Sequence, residues 1–233
     1  MLGRLSFTIL AAVFWSAQAF AATGSVPQFN PKGVAGHVGA GFTYTTVNLP
    51  STRFKMDPGI FANLGGEKGF GFLNLSLTFS LGYLSSEGQA DYHYRTLSGA
   101  DYTATDAKFK YDLFNIGLGL KFRIIDGFFF RPYVEGGGTF GYSTLKFNFN
   151  SAQRAANTLV GPDAKDGESL FAFGKYAEGG ADVAFSPSFG LLLAARIEWV
   201  DTKEFEILYD TNNEKQKLLY TTMTYYVGLL KSF

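Results

Sequence analysis

The chain has 233 residues, 46% hydrophobic, 17% aromatic and 17% charged, with 28 Gly, 7 Pro and no Cys. Such a chain is too apolar and too aromatic to stay disordered, and too rich in glycine for a helical bundle. Twenty Lys and Arg balance twenty Asp and Glu, so no global field draws in nucleic acid, and the lack of cysteine excludes a disulfide framework, a thiolate metal site and a cysteine nucleophile.

The first element in chain order is a leader. Arg4 gives a positive start, Leu5 to Trp15 an apolar run, and Ala17, Ala19 and Ala21 small residues at alternating positions. The run is shorter than the roughly 20 residues of a membrane-crossing helix. Residues 1–21 are therefore expected to be a signal peptide cleaved after Ala21, with the mature domain at 22–233. Past Ala22 no segment reaches about 18 uninterrupted apolar residues, which leaves a soluble fold or a β-barrel.

Period two dominates the mature chain. From Val34, apolar or small residues (Val34, Val38, Phe42, Tyr44) alternate with Ala35, His37, Gly39, Gly41 and Thr43. The second strand sets Leu73, Leu75, Leu77, Phe79, Leu81 and Tyr83 against Asn74, Ser76, Thr78, Ser80 and Gly82. Further strands are expected at Gln89–Leu97, Leu113–Arg123, Phe128–Tyr142, Phe171–Phe185, Phe189–Val200 and Leu218–Phe233, which makes eight in all. Ser85–Gly88, Asp126-Gly127 and Ser186–Ser188 read as tight turns. The segments 48–68, 98–107, 143–168 and 201–217 read as longer polar loops.

Short turns on one side and long loops on the other are the pattern of an outer-membrane barrel, with both mature termini on the short-turn, periplasmic side. A soluble sandwich also alternates, but its second face would be rich in Lys and Glu. Here that face carries Gly, Ser, Thr and Asn, small enough to fill a narrow barrel. Aromatics at the strand ends form two expected interfacial rings. Tyr83, Phe122, Phe128, Phe185, Phe189 and Phe233 lie beside the short turns, and Phe42, Tyr44, Phe140, Tyr142 and Trp199 near the long loops.

The last strand ends in Phe233, with apolar residues at alternate positions before it. Gly228 and Phe233 match the C-terminal strand of bacterial outer-membrane proteins, whereas Lys231 stands where an apolar residue is usual. With the leader and the loop asymmetry, the stretch from Val34 to Phe233 resembles the small OmpA/OmpX/OmpW-like barrels. The resemblance implies an all-β, eight-stranded antiparallel up-and-down barrel in the cell outer membrane, assembled by the barrel assembly machinery through Phe233. It also implies contact with outer-membrane lipids and lipopolysaccharide, and a monomeric state.

Few residues carry chemistry. His37 and His93 are the only histidines. His93 lies between Asp91 and Arg95, but lipid A deacylases of this size show a His-x-Ser motif where this chain reads His93-Tyr94-Arg95, so an interior hydrogen-bonded histidine is the preferred reading. Gly136-Gly137-Gly138 falls within a strand and reads as close packing, not as a phosphate loop. Asp163, Asp166 and Glu168 are loop acids with no metal motif around them. No catalytic, cofactor-binding or metal residue is assigned, and no cofactor is expected. The inward charges are more informative: Lys121, Arg123, Arg131 and Arg196 share a face with Glu135, Glu178, Asp182 and Glu198, and in a narrow lumen they are expected to pair and fill it. The expected function is a non-enzymatic outer-membrane barrel with a structural or surface-interaction role. The alternatives are a narrow conduit for small or apolar solutes and a lipid A-modifying enzyme.

Overall fold

The computed structural model describes residues 33–48, 53–70, 74–95, 101–125, 129–148, 167–203, 205–206, 215–216 and 219–233. The expected leader lies outside the described residues. Alternation of side chains along extended backbone gives each strand one outward and one inward face. The strands are β1 (Val34–Asn48), β2 (Arg53–Lys55), β3 (Gly59–Gly69), β4 (Leu75–Arg95), β5 (Asp101–Arg123), β6 (Phe130–Asn148), β7 (Gly167–Ala184), β8 (Phe189–Thr202), β9 (Phe205–Glu206), β10 (Lys215–Gln216) and β11 (Leu219–Ser232).

The order β1, β3, β4, β5, β6, β7, β8, β11 returns to β1 through antiparallel pairing from Ala35↔Ser232 to Asn48↔Leu219. The sheet is closed with eight strands in its wall, so no edge strand is left along the cylinder. β2 adds a short hairpin to the end of β1, and β9 pairs with β10. The connections β3–β4, β5–β6 and β7–β8 lie at the same rim as Val34 and Phe233, here the near rim. At Asn74 the near-rim turn uses a left-handed backbone with φ 51°, which asparagine tolerates. The turn before β8 is tied by Ser186 Oγ, which accepts hydrogen bonds from the Phe189 and Ser188 amides at 3.0 and 3.3 Å.

Several of the sequence expectations are corrected. The segment 48–68, with the composition of a loop, contains β2 and β3, and the other three expected loops are partly strand: β5 begins at Asp101, β6 runs on to Asn148 and β7 starts at Gly167, and 201–217 contains β9 and β10. The turn expected at Ser85–Gly88 does not form: β4 runs unbroken through it, so the strands expected at Leu73–Tyr83 and Gln89–Leu97 are one strand, pairing with β5 from Leu75↔Phe122 to Arg95↔Asp101 with a bulge between Ala90 and Tyr92. The count of eight stands because β3 is gained while two expected strands merge. The direction of β4 is thereby reversed, and Tyr83 belongs with the far-rim aromatics. There its hydroxyl donates to Asp112 Oδ1 at 3.0 Å. Asp126, Gly127 and Phe128 lie outside the described residues.

The outward face is apolar. Val38, Phe42, Leu64, Leu77, Phe79, Leu118, Leu120, Val134, Val227 and Leu229 are exposed, while Thr43, Asn63, Ser76, Thr78, Asn115, Thr139 and Thr224 on the alternate face are buried. Phe122, Phe130, Phe185, Phe189 and Phe233 ring the near rim. Tyr44, Phe114, Phe140, Tyr142, Phe173, Trp199 and Tyr225 ring the wall farther along. From Phe189 to Trp199 along β8, ten steps of roughly 3.3 Å at a tilt near 40° cover about 25 Å. That is the height of a lipid-facing band.

Candidate functional site

The barrel interior is where the strands bring nine charged side chains together out of solvent, and it is layered along the axis. Nearest the near rim, Lys121 Nζ lies 3.0 Å from Asp182 Oδ1 and 3.1 Å from Glu67 Oε2. Arg123 pairs with Glu67, meets Asp182 Oδ2 at 2.9 Å and donates to Ser76 Oγ at 3.0 Å. Arg131 NH2 stands 3.9 Å from the same Asp182 oxygen. Three cations thus share two carboxylates. Arg123, Arg131 and Asp182 are 2%, 0% and 1% exposed. Glu67 beside them keeps a side-chain exposure of 10%.

The next layer is acidic. Arg196 lies 3.9 Å from Glu178 Oε2 and 3.8 Å from Glu198 Oε2, with its guanidinium 3.7 Å from the centre of the Tyr176 ring. Hydroxyls and an amide donate to the three carboxylates. Tyr176 and Thr78 reach Glu135 at 2.6 and 2.8 Å, Tyr133 and Tyr226 reach Glu178 at 2.7 and 2.8 Å, and Thr139 and Asn115 reach Glu198 at 2.7 and 2.9 Å. Tyr133 ties the layers together: its hydroxyl serves Glu178 while its ring lies 3.8 Å from Lys121 Nζ. Charge-assisted hydrogen bonds of this kind offset the desolvation of buried carboxylates.

Toward the far rim the interior turns apolar. Val47, Met56, Phe61, Leu84, Phe109, Leu113, Leu145, Val200 and the stacked pair Tyr111 and Tyr220, 4.1 Å between ring centres, form one buried cluster. At the other end Ala35, Ala184 and Leu230 form a small one. Glycines on the inward face make room for the large residues opposite. A Cβ on Gly180 would lie 2.7 Å from the Tyr133 hydroxyl, and one on Gly137 2.8 Å from the Tyr176 ring. A lumen this narrow cannot take side chains at every inward position.

All eight charges expected to face inward do so. Glu67 joins them, hidden from a sequence reading by the loop-like composition of its strand. His37 points inward from β1 against Gly65, where any Cβ would collide with its ring; its Nε2 is buried without a hydrogen-bond partner. The backbone of His93 sits on the far-rim extension of β4 opposite Thr103, and its side chain lies outside the described residues. Asp163 and Asp166 also lie outside them, and Glu168 is described only as backbone in β7. Gly136-Gly137-Gly138 lies within β6. Among the described residues no group of His, Asp and Glu has the geometry to hold a metal ion.

A closed wall, an apolar band bounded by aromatics and a polar interior are the features of a β-structure built for lipid. The chain has the outer-membrane barrel fold. No protein-family model matches its sequence, and no curated protein matches it. Solved structures similar to it include the outer membrane protein OprG from Pseudomonas aeruginosa, at 15% identity over 88% of this chain and 99% of that one, with a TM-score of 0.49. Neisserial surface protein A is 12% identical over 85% and 99% of the two chains, TM-score 0.47. The outer membrane protease OmpT from Escherichia coli is 11% identical over 88% and 98%, TM-score 0.46.

Proposed function

We propose that this chain is a non-enzymatic barrel of the bacterial outer membrane, with a blocked lumen, whose far rim faces outside and whose role is to stabilise the envelope or present its outer segments to partners. The observation that carries this reading is the lumen. A network of nine charged side chains, from Glu67 to Glu198, spans the interior with its central members out of contact with solvent, and an apolar cluster lies above it. A conduit needs mobile or hydrated groups along its axis. Here the charges are held by several partners each, which suits a strut better than a passage.

The non-enzymatic part is supported by what surrounds the interior groups. The carboxylates accept hydrogen bonds from Tyr, Thr and Asn. Recording across a planar bilayer tests the proposal. The folded protein is expected to add no stable unit conductance in salt. Regular openings that persist with the wild-type chain would replace the strut with a narrow conduit.

A further inference from the structure

On the far-rim side of the acidic layer the interior holds polar atoms that the chain itself does not satisfy. Thr45 Oγ1, Asn63 Oδ1, the Tyr111 and Tyr220 hydroxyls, Thr222 Oγ1, and Nε and Nη2 of Arg196 are buried, with no hydrogen-bond partner among the described residues. The register collects them around Glu198. Thr222 pairs with Thr45 on one side and with Glu198 on the other, and Tyr220 follows two residues nearer the far rim, opposite Val200. Arg196 Nε stands 3.8 Å from Glu198 Oε2. Asn63 pairs with Gly82, which pairs in turn with Asn115, a donor to Glu198. Two residues nearer the near rim the same ladder is satisfied within the chain, where Thr224 donates to Thr43 Oγ1 at 3.1 Å.

Buried polar atoms are paired in about nine cases of ten, with protein or with ordered water. Seven without a protein partner in one region point to a bound species, and the lining says which. Glu178 and Glu198 beside them repel an anion, and the acids among the described residues have no metal-binding geometry. An apolar solute would leave all seven atoms unbonded. Water both donates and accepts, with about two to four hydrogen bonds per molecule, and so serves the Arg196 donors and the Asn63 acceptor alike.

Toward the far rim a pair of rings closes this region. Tyr111 stands on β5 and Tyr220 on β11, four strands apart in a wall of eight, so they reach in from opposite sides. Their rings stack with 4.1 Å between centres and 16° between planes, inside the apolar cluster of Val47, Phe109, Leu113 and Val200. We propose that the barrel encloses a chamber of ordered water on the far-rim side of its charged network, and that the Tyr111–Tyr220 stack is the lid of that chamber. The proposal rests on the blocked lumen proposed above and deepens it: the network is one closure, and the stack is a second in series.

The chain has no cysteine, so Thr222→Cys puts its only thiol in the chamber. The full chain, folded in detergent, is treated with methyl methanethiosulfonate and the labelling is followed by mass. Labelling is expected to be slow with both tyrosines present. With Tyr111→Ala and Tyr220→Ala added it should run about tenfold faster or more, since it no longer waits on an opening of the lid; should that pair not fold, Tyr220→Ala alone replaces it. Equal rates with and without the tyrosines overturn the lid.

The water is tested by Thr222→Val in a urea melt. Loss of a hydroxyl bonded to water should raise the unfolding constant about fivefold. Loss of a hydroxyl bonded to nothing removes a burden, so a variant as stable as the wild type or more so would mean a dry interior and overturn the chamber. Recording across a planar bilayer separates these outcomes from the reading beneath them. The tyrosine variant is expected to conduct no more than the wild type, because the network remains. Openings in that variant alone would keep the lid and remove the network as a closure, whereas openings in the wild type would overturn both.

Discussion

Asp182 is the carboxylate on which the near-rim layer depends, and Asp182→Asn removes its charge with almost no change of volume. Its contacts to Lys121 and Arg123, at 3.0 and 2.9 Å, are each worth roughly 5 to 6 kcal/mol of attraction at an effective dielectric constant near 20. Desolvation of the ions offsets much of that, and breaking a buried pair from one side costs about 3 to 5 kcal/mol net. The upper end is expected here, because the change leaves three cations to share Glu67. The control is Asp112→Asn on the outer surface, whose partner Lys110 stands 3.9 Å away and is partly exposed, so its loss costs below about 1 kcal/mol. Urea unfolding from lipid vesicles, followed by Trp199 emission, compares the two. Asp182→Asn with Lys121→Met is expected to recover part of the loss, since the pair then goes together. An Asp182→Asn barrel no less stable than the Asp112→Asn barrel would mean that water screens the layer, and the filled lumen would have to be abandoned.

Other expectations concern the two faces of the wall and the leader. Leu118→Arg, mid-band and 59% exposed, should cost about 2 to 4 kcal/mol on folding into bilayers, whereas Leu219→Arg, beyond the aromatic ring, should cost about 1 kcal/mol or less; similar unfolding midpoints would put the band in the wrong place. Gly180→Val, whose Cβ meets Tyr133 and the Leu193 carbonyl, should destabilise by about 1 to 3 kcal/mol, and Gly179→Ala next to it should be close to neutral in the same melt. The protein should fractionate with outer membranes and begin at Ala22, and a mass for the intact N-terminus in the membrane fraction would refute the cleavage site. Closure of the wall predicts that unboiled protein in detergent migrates differently from boiled protein, and identical migration would argue against a closed barrel.

Parity is legible in the sequence because each outward residue contrasts with its inward neighbours. Leu118, Leu120 and Phe122 against Gly119, Lys121 and Arg123 leave no other register. β3 is not legible, for the opposite reason. Ile60 and Phe61 are both apolar although one faces out and the other in, and Gly59, Gly65, Gly66 and Gly69 read as loop. Two of these glycines answer to neighbours that sequence does not reveal: Gly65 to the His37 ring, Gly59 to Ser86. Ser85-Ser86-Glu87-Gly88 has turn composition, yet it stays extended because β5 pairs with it residue by residue and Ser86 donates to the Asp57 carbonyl at 2.8 Å. The inward charges are identifiable from parity alone. Which of them meet is not, because partners such as Lys121 and Asp182 come from strands two apart in the wall and are brought together by its curvature. The fit of Tyr133 over Gly180, by contrast, needs only the β6–β7 register, in which the two are direct partners.

The central claim is that the apolar face meets lipid while the alternate face fills the lumen, and spin labels along β4 and β5 test it most directly. Labels replacing Leu77 and Leu118 should relax strongly with oxygen dissolved in the bilayer and weakly with a water-soluble nickel complex. Labels replacing Thr78 and Gly117, wherever the barrel still folds, should be shielded from both. If instead the labels at Leu77 and Leu118 are shielded from both reagents, those leucines lie in a protein core, and the membrane barrel is contradicted.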